Sequence, residues 1–218
     1  MFQEGWQALL DFLFPPHCPV CHAYVPRSGE WCASCLQDAQ KPHMILLPVP
    51  MRSLIGTAWA LGVYRGGLRS LIHALKYKKQ RSTLPYIETF LQQTGLVLAD
   101  DYDFAVPVPL HRQREKWRGF NQVEVIFRSW LAAKGIPLRR ALVRTKKTAP
   151  LYDHTPQERR EILSQAFALS DDAAVAGRNI LLLDDILTTG ATLFACAAVL
   201  KRAGAARVDV LVFASDHR

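Results

Sequence analysis

No apolar run in the sequence approaches the roughly 20 residues that a bilayer crossing requires, so no transmembrane segment is expected. The opening stretch, residues 2–14, lacks both the basic start and the small-residue cleavage site of a secretory signal, and it runs into Pro15-Pro16. Phe2, Trp6, Leu9, Leu10, Leu13 and Phe14 recur there at helical spacing and predict a short amphipathic helix; its polar side carries Glu4 and Asp11 rather than the Lys and Arg of a membrane-surface helix. The phosphate loop GxxxxGK[ST] and the dinucleotide fingerprint GxGxxG are both missing, which excludes the two commonest nucleotide-binding folds. Internal repeats and low-complexity stretches are also missing. The expectation is a cytoplasmic protein with an ordinary packed core.

What is present fits that frame. Half of the 218 residues are apolar, enough for one α/β core and a small appendage. The net charge of +8 favours anionic partners such as phosphorylated metabolites, nucleic acid or acidic lipid. Five cysteines without an export signal point to reduced thiols, and so to metal binding or catalysis before disulfides.

Composition divides the chain. Residues 15–50 are rich in Pro, Cys and His and hold no long periodic segment, so residues 1–50 read as a helix plus a small module held by something other than a core. Residues 51–218 read as a separate domain in which short Leu-rich or β-branched runs alternate with amphipathic stretches, the pattern of a sheet with crossover helices. Strands are expected at 57–63, 104–108, 179–183 and 208–213, and helices at 68–76, 84–94, 122–133, 155–164 and 193–203. In the last of these Leu193, Cys196, Ala197 and Leu200 share a face, and Gly204 stands where the helix should stop.

Cys18-Pro-Val-Cys21 and Cys32-Ala-Ser-Cys35 are two CxxC pairs separated by ten residues. Each can present two thiolates to one ion within a tight turn, and two such knuckles complete a closed tetrahedral site of the structural zinc type. A redox-active pair or an iron–sulfur site are the competing readings. His17, His22 and His43 lie nearby, but four sulfurs already saturate a zinc ion, so they are expected on the surface or packed around the ligands. Cys196 reads as a small core hydrophobe.

The most informative segment is Asn179-Ile-Leu-Leu-Leu-Asp184-Asp185-Ile-Leu-Thr188-Thr189-Gly190-Ala191-Thr192. A buried strand leads into two carboxylates, then a hydroxyl-rich turn with one glycine, then a helix start. Backbone N–H groups in the turn and the helix dipole make an anion site, threonine hydroxyls add donors, and Gly190 permits close approach. Adjacent carboxylates repel a phosphate but suit hydroxyl groups a few ångströms away. Ribose 5-phosphate offers both. Capping alone would explain one acid or one hydroxyl, not the whole run.

Residues 181–192 resemble the signature of type I phosphoribosyltransferases for 5-phosphoribosyl-1-diphosphate (PRPP). That resemblance implies that Asp184 and Asp185 bind the ribose hydroxyls, that Thr188, Thr189, Gly190, Ala191 and Thr192 hold the 5-phosphate, and that magnesium accompanies the diphosphate. A second segment, Val106-Pro-Val-Pro109-Leu-His111-Arg112 followed by Arg114, Lys116 and Arg118-Gly119-Phe120-Asn121-Gln122, narrows the family. Together with the CxxC pairs, Ala74-Leu-Lys76-Tyr77-Lys78 and Glu158-Arg159-Arg160, it resembles the ComF family, including its GntX-type DNA-utilisation proteins. The implied fold is α/β: a mostly parallel sheet flanked by helices in the type I phosphoribosyltransferase manner, with a small N-terminal four-cysteine zinc module. The implied context is natural competence or the use of DNA, with single-stranded DNA and a helicase-like motor as partners.

The basic stretch from His111 to Arg118, opposed only by Glu115, reads as a solvated or phosphate-facing loop, with Arg112 or Arg118 as diphosphate contacts. Two further basic runs could meet a DNA strand: Arg139, Arg140, Arg144, Lys146 and Lys147, and Lys76, Lys78, Lys79 and Arg81 around Tyr77. Leu151, Ile162 and Gln165 depart from the family pattern of Gln, Asn and Gly at those places, which bears on the segment 153–166. No C-terminal addition follows the last strand, so any cover over the acceptor must come from the first 60 residues. A non-catalytic PRPP-sensing regulator would use the same loop.

Overall fold

The computed structural model describes residues 13–96, 98, 101–146 and 165–216. The expected helix at 155–164, all but residues 13 and 14 of the expected opening helix, and Lys147, Leu151 and Ile162 lie outside the described residues. In chain order the elements are α1 (Ala33–Ala39), β1 (Gln40–Met44), α2 (Val49–Arg52), β2 (Ala58–Val63), α3 (Gly66–Tyr77), a 3-10 turn (Arg81–Thr83), α4 (Leu84–Gln92), β3 (Phe104–Pro107), α5 (Arg112–Arg118), α6 (Gln122–Ala133), β4 (Leu142–Arg144), β5 (Phe167–Leu169), β6 (Asn179–Leu187), α7 (Ala191–Arg202) and β7 (Arg207–Ser215).

Five strands form the main sheet in the order β1-β2-β7-β6-β3. β1 runs antiparallel to β2, and the other pairings are parallel. β4 and β5 form a separate antiparallel ribbon. Side chains alternate across a strand, and the burial follows that period of two. Ile180 and Leu182 join Phe104, Val106, Val208, Val210 and Val212 on the face that receives Leu193, Cys196, Ala197 and Leu200 of α7. Leu181 and Leu183 join Leu61, Leu211 and Phe213 on the face covered by α3, α4 and α6 through Leu68, Ile72, Leu75, Phe90 and Phe127. Burial on both faces explains why β6 and β7 read as unbroken apolar runs rather than alternating ones. Each fully buried Leu or Phe contributes roughly 1.5–3 kcal/mol.

Two expectations need correction. The strand expected to end at residue 183 continues to Leu187, because β7 extends beside it and supplies the pairs Asp184↔Val212, Ile186↔Ala214 and Leu187↔Ser215. The carboxylates therefore sit on the strand, not after it. The basic segment expected as a loop forms α5: His111 caps it by accepting from the Gln113 N–H at 3.3 Å, and Gly119, at φ 86°, ends it.

The cysteine-rich segment docks closely on this core. Gly67, at the start of α3, has no side chain where one would stand 2.2 Å from Val20 Cγ2 and 3.2 Å from the Trp31 ring. Trp31 is buried, donates its Nε1–H to the Tyr86 carbonyl at 2.8 Å and meets Phe90 at 6.1 Å between ring centroids. Residues 40–44, which follow the second CxxC pair, add the edge strand β1 to the main sheet, so the two parts share hydrogen bonds as well as apolar contacts.

Candidate functional site

The sulfurs of Cys18, Cys21, Cys32 and Cys35 all lie within 4.8 Å of one another, with Cys21 and Cys32 at 3.6 Å. A tetrahedral zinc site with Zn–S bonds of about 2.3 Å has sulfur–sulfur edges of about 3.8 Å, so the cluster fits the ion. Local backbone shapes it: the His22 N–H bonds the Cys18 carbonyl at 3.1 Å, and the Leu36 N–H bonds the Cys32 carbonyl at 3.1 Å. His22 takes the left-handed conformation at φ 59°, which turns the chain out of the first knuckle. Four thiols this close cannot all ionise without a cation. A hydrogen bond from the Ser34 hydroxyl leads the effects that lower Cys32 to about 6, whereas burial and the neighbouring sulfurs push Cys35 up to about 12. No histidine joins the cluster among the described residues.

The second constellation stands at the C-terminal end of β6. Because neighbouring residues of a strand face opposite sides, Asp184 and Asp185 are not equivalent. Asp185 lies on the α3 side, is 3% exposed, and accepts from Lys76 Nζ at 2.8 Å; its other oxygen, Oδ2, is buried with no hydrogen-bond partner among the described residues. Burial works against the charge on Lys76, but the carboxylate of Asp185 outweighs it and raises the lysine's pKa. Asp184 lies on the α7 side, partly open to solvent, and accepts from the Asp185 N–H at 2.8 Å. Its burial and the adjacent carboxylate push its pKa up to about 8, against the pull of Lys76 and Arg144.

Thr188, Thr189 and Gly190 follow directly. Thr188 and Thr189 are exposed, and Gly190 takes the left-handed conformation at φ 72° and starts α7, a twelve-residue helix. A side chain at Gly190 would also stand 3.2 Å from Met51 Cε of α2. The N–H groups of the first turn of α7, at Ala191 and Thr192, have no acceptor within the helix, and its first turn holds no acidic residue, an arrangement that suits an anion. The expected residues 184–192 thus form one continuous edge, acids first and donors after.

The two candidate arginines part company. Arg118, the last residue of α5, is buried within the electrostatic reach of Asp185; burial lowers its pKa, and its Nε has no hydrogen-bond partner among the described residues. Its Nη1 donates to Gln122 Oε1. Arg112 is exposed and lines a separate cavity of about 280 Å³ with Pro107, Pro109, Asn121 and Arg144. Two cations were not anticipated at the acids as such: Lys76, which the sequence places only in a basic run, and Arg144, whose charge reaches Asp184 from β4. Arg144 sits 5.4 Å from the Phe167 ring, and burial lowers its pKa.

Arg139, Arg140 and Lys146 of the basic run at 139–147 are exposed but already have contacts within the chain. Arg140 pairs with Glu124 at 2.6 Å and Glu115 at 2.8 Å, Arg139 lies over the Phe104 ring at 4.9 Å, and Lys146 donates to Gln165 at 2.8 Å. A larger cavity, about 370 Å³, opens between the cysteine-rich segment and the start of α3, lined by Trp31, Asp38, Lys41, Val63, Arg65 and Gly66. Val63 and Leu187 both pair with Ser215, so this cavity adjoins the same end of the sheet as residues 188–192, two strand spacings or about 10 Å away. No helix among the described residues is long and apolar enough to cross a membrane.

Comparison with known proteins bears on both constellations. Residues 9–44 match the double zinc ribbon domain and residues 129–218 the phosphoribosyl transferase domain. The DNA utilization protein YhgH of Escherichia coli O157:H7 is 31% identical over 216 residues, covering 93% of this chain and 84% of that protein. The competence protein ComFC of Bacillus subtilis is 26% identical over 217 residues, 94% of this chain and 86% of that one. Among solved structures, the glutamine PRPP amidotransferase of B. subtilis gives a TM-score of 0.37 at 18% identity, over 56% of this chain and 24% of that chain, a likeness too slight to carry weight.

Proposed function

The chain belongs to the ComF family, joining a zinc module to a phosphoribosyltransferase fold, and on that premise we propose that it binds PRPP with magnesium in the service of DNA uptake or utilisation. The observation that carries this reading is the edge from Asp184 to Thr192. A buried carboxylate oxygen without a hydrogen-bond partner among the described residues, Asp185 Oδ2, stands one short loop away from an exposed helix N-terminus lined by threonines. Hydroxyls of a sugar satisfy the first, and a phosphate satisfies the second.

Electrostatics supports the same ligand. With Asp184 largely neutral near pH 7, Lys76, Arg118 and Arg144 leave the surroundings of the acids positive, which suits a sugar bearing phosphate at both ends. Magnesium fits a donor set of hard carboxylate oxygens, and when bound it would neutralise diphosphate charge. Asp184, which a divalent cation beside it would bring back to its ionised form, would contribute to its shell, most of which would come from ligand oxygens and water. The cavity beside Trp31 and Arg65 offers room for an acceptor near the sugar, under cover supplied by the zinc module, and in a transfer the acceptor would bond to ribose C1 as the bond from C1 to diphosphate breaks and diphosphate leaves. A cytoplasmic location is part of the same reading.

The test is calorimetric titration of the zinc-loaded protein with PRPP and magnesium, beside an Asp184→Asn, Asp185→Asn double variant. Binding by the parent and its loss in the variant is the expected result. A folded, zinc-replete parent that takes up no PRPP would overturn the reading.

A further inference from the structure

The cavity of about 370 Å³ beside Trp31 lies where the zinc module meets α3, and its two walls are held differently. One wall is the start of α3, fixed by the core: Gly67 is buried, and the Val20 and Trp31 side chains close over the place where it lacks one. The other is α1, which has no buried residue. Its position comes from Cys32 and Cys35 at the four-sulfur cluster and from the pairing of β1 directly after it. Cys35 itself lines the cavity, so the sulfur cluster and the cavity share a wall.

The lining combines an apolar side with three charges. Val20, Trp31 and Val63 supply the first, and the Trp31 ring is fixed by its Nε1–H bond to the Tyr86 carbonyl at 2.8 Å, with Cζ3 and Cη2 toward Gly67. Asp38, Lys41 and Arg65 supply the second; all three are exposed, and none takes part in an ion pair among the described residues. Two cations against one acid leave a surplus of one positive charge, which suits a monoanion. A phosphate ester, at about −1.5 to −2 near neutral pH, would meet repulsion from Asp38. A carboxylate can accept from Lys41 and Arg65, an amine can donate to Asp38, and the apolar side receives a ring between them. The volume stands at the low end of small-molecule sites and holds one small ring system rather than a polymer.

We propose that this cavity binds a small aromatic amine bearing a carboxylate, with the carboxylate at Lys41 and Arg65, the amine at Asp38 and the ring against Trp31. That this ligand is the phosphoribosyl acceptor rests on the proposed binding of PRPP; its own binding does not. In that role the amine nitrogen would give its electron pair to ribose C1, diphosphate would leave with the pair of the broken C1–O bond, and the amine would lose one proton to water. Because Cys35 stands in the wall, an occupant and the metal stabilise each other.

The test is calorimetric titration of the zinc-loaded chain, without PRPP, with ortho-, meta- and para-aminobenzoate. Aniline, which lacks the acid, and cyclohexanecarboxylate, which lacks the aromatic ring and the amine, serve as controls. At least one isomer should bind about tenfold or more tightly than either control, and a Lys41→Gln, Arg65→Gln variant that melts like the parent should lose that margin. The bound isomer should also slow the transfer of zinc to a chelating dye, which aniline at the same concentration leaves unchanged. Binding by no isomer, equal binding of aniline, or an unweakened double variant would overturn the proposal. A chain that binds PRPP and magnesium but no aminobenzoate would overturn this inference alone. A chain that binds aminobenzoate but no PRPP would uphold the cavity as a site and overturn the acceptor role together with the PRPP reading.

Discussion

At the residue scale the acid pair is the decisive feature, and strand alternation makes its members chemically different. Asp185 is committed to Lys76 in a buried ion pair, whereas Asp184 faces Arg144 and Cys196 and keeps its proton up to about pH 8. A carboxyl whose folded pKa lies above its ordinary 3.8 contributes stability that is complete below about pH 4 and is lost as pH rises through 8. Asp184→Asn stays neutral throughout. Its melting temperature should therefore gain on the parent's between pH 4 and pH 8 and hold a constant difference above that, and partial solvent access limits the gain to about 3 °C. A difference that does not change with pH would show that Asp184 is ionised in the folded protein. The sequence revealed that two acids precede a hydroxyl-rich turn and a helix start. It did not reveal which of them is already paired, because Lys76 lies 109 residues away and reaches Asp185 only through the packing of α3 on the sheet.

At the scale of elements, the loop between β6 and α7 depends on one backbone angle. Gly190 at φ 72° sits against Met51, so Gly190→Ala imposes both the left-handed penalty and a 3.2 Å approach to Met51 Cε. The expected cost is about 1–2 kcal/mol in urea unfolding, with PRPP affinity reduced by tenfold or more in calorimetry. A stability loss without a change in affinity would mean that the loop does not hold the phosphate. The glycine and the threonines were legible because turn chemistry is local. α5 was not: its charged residues carry no apolar periodicity, and what establishes it is the His111 cap, the Gly119 stop and the Arg140 side chain that reaches Glu115 from another segment.

At the scale of the whole molecule, the zinc module is part of the architecture that covers the sheet end. Trp31 and Val20 rest on Gly67, and β1 extends the sheet directly from the second knuckle. Removing the metal with a chelator should release one zinc per chain and lower the melting temperature by several degrees, while far-ultraviolet circular dichroism retains most of its helical signal from α3 to α7. Retention of the full melting temperature after metal loss would deny the module this supporting role. The sequence by itself determined the alternation of strands and helices, the closed set of four sulfurs, and the order of acids, hydroxyls and helix start, since each of these is written in spacing along the chain. Tertiary structure alone decided how far β6 extends, because that depends on the length of β7 beside it. It also decided which cations meet the acids and which basic residues remain open to a partner. Arg140 is paired with Glu115 and Glu124 while staying exposed, whereas Lys76 and Arg118 are turned inward toward Asp185. Charge in a sequence counts every lysine and arginine alike, and only packing distinguishes those already paired from those still facing solvent.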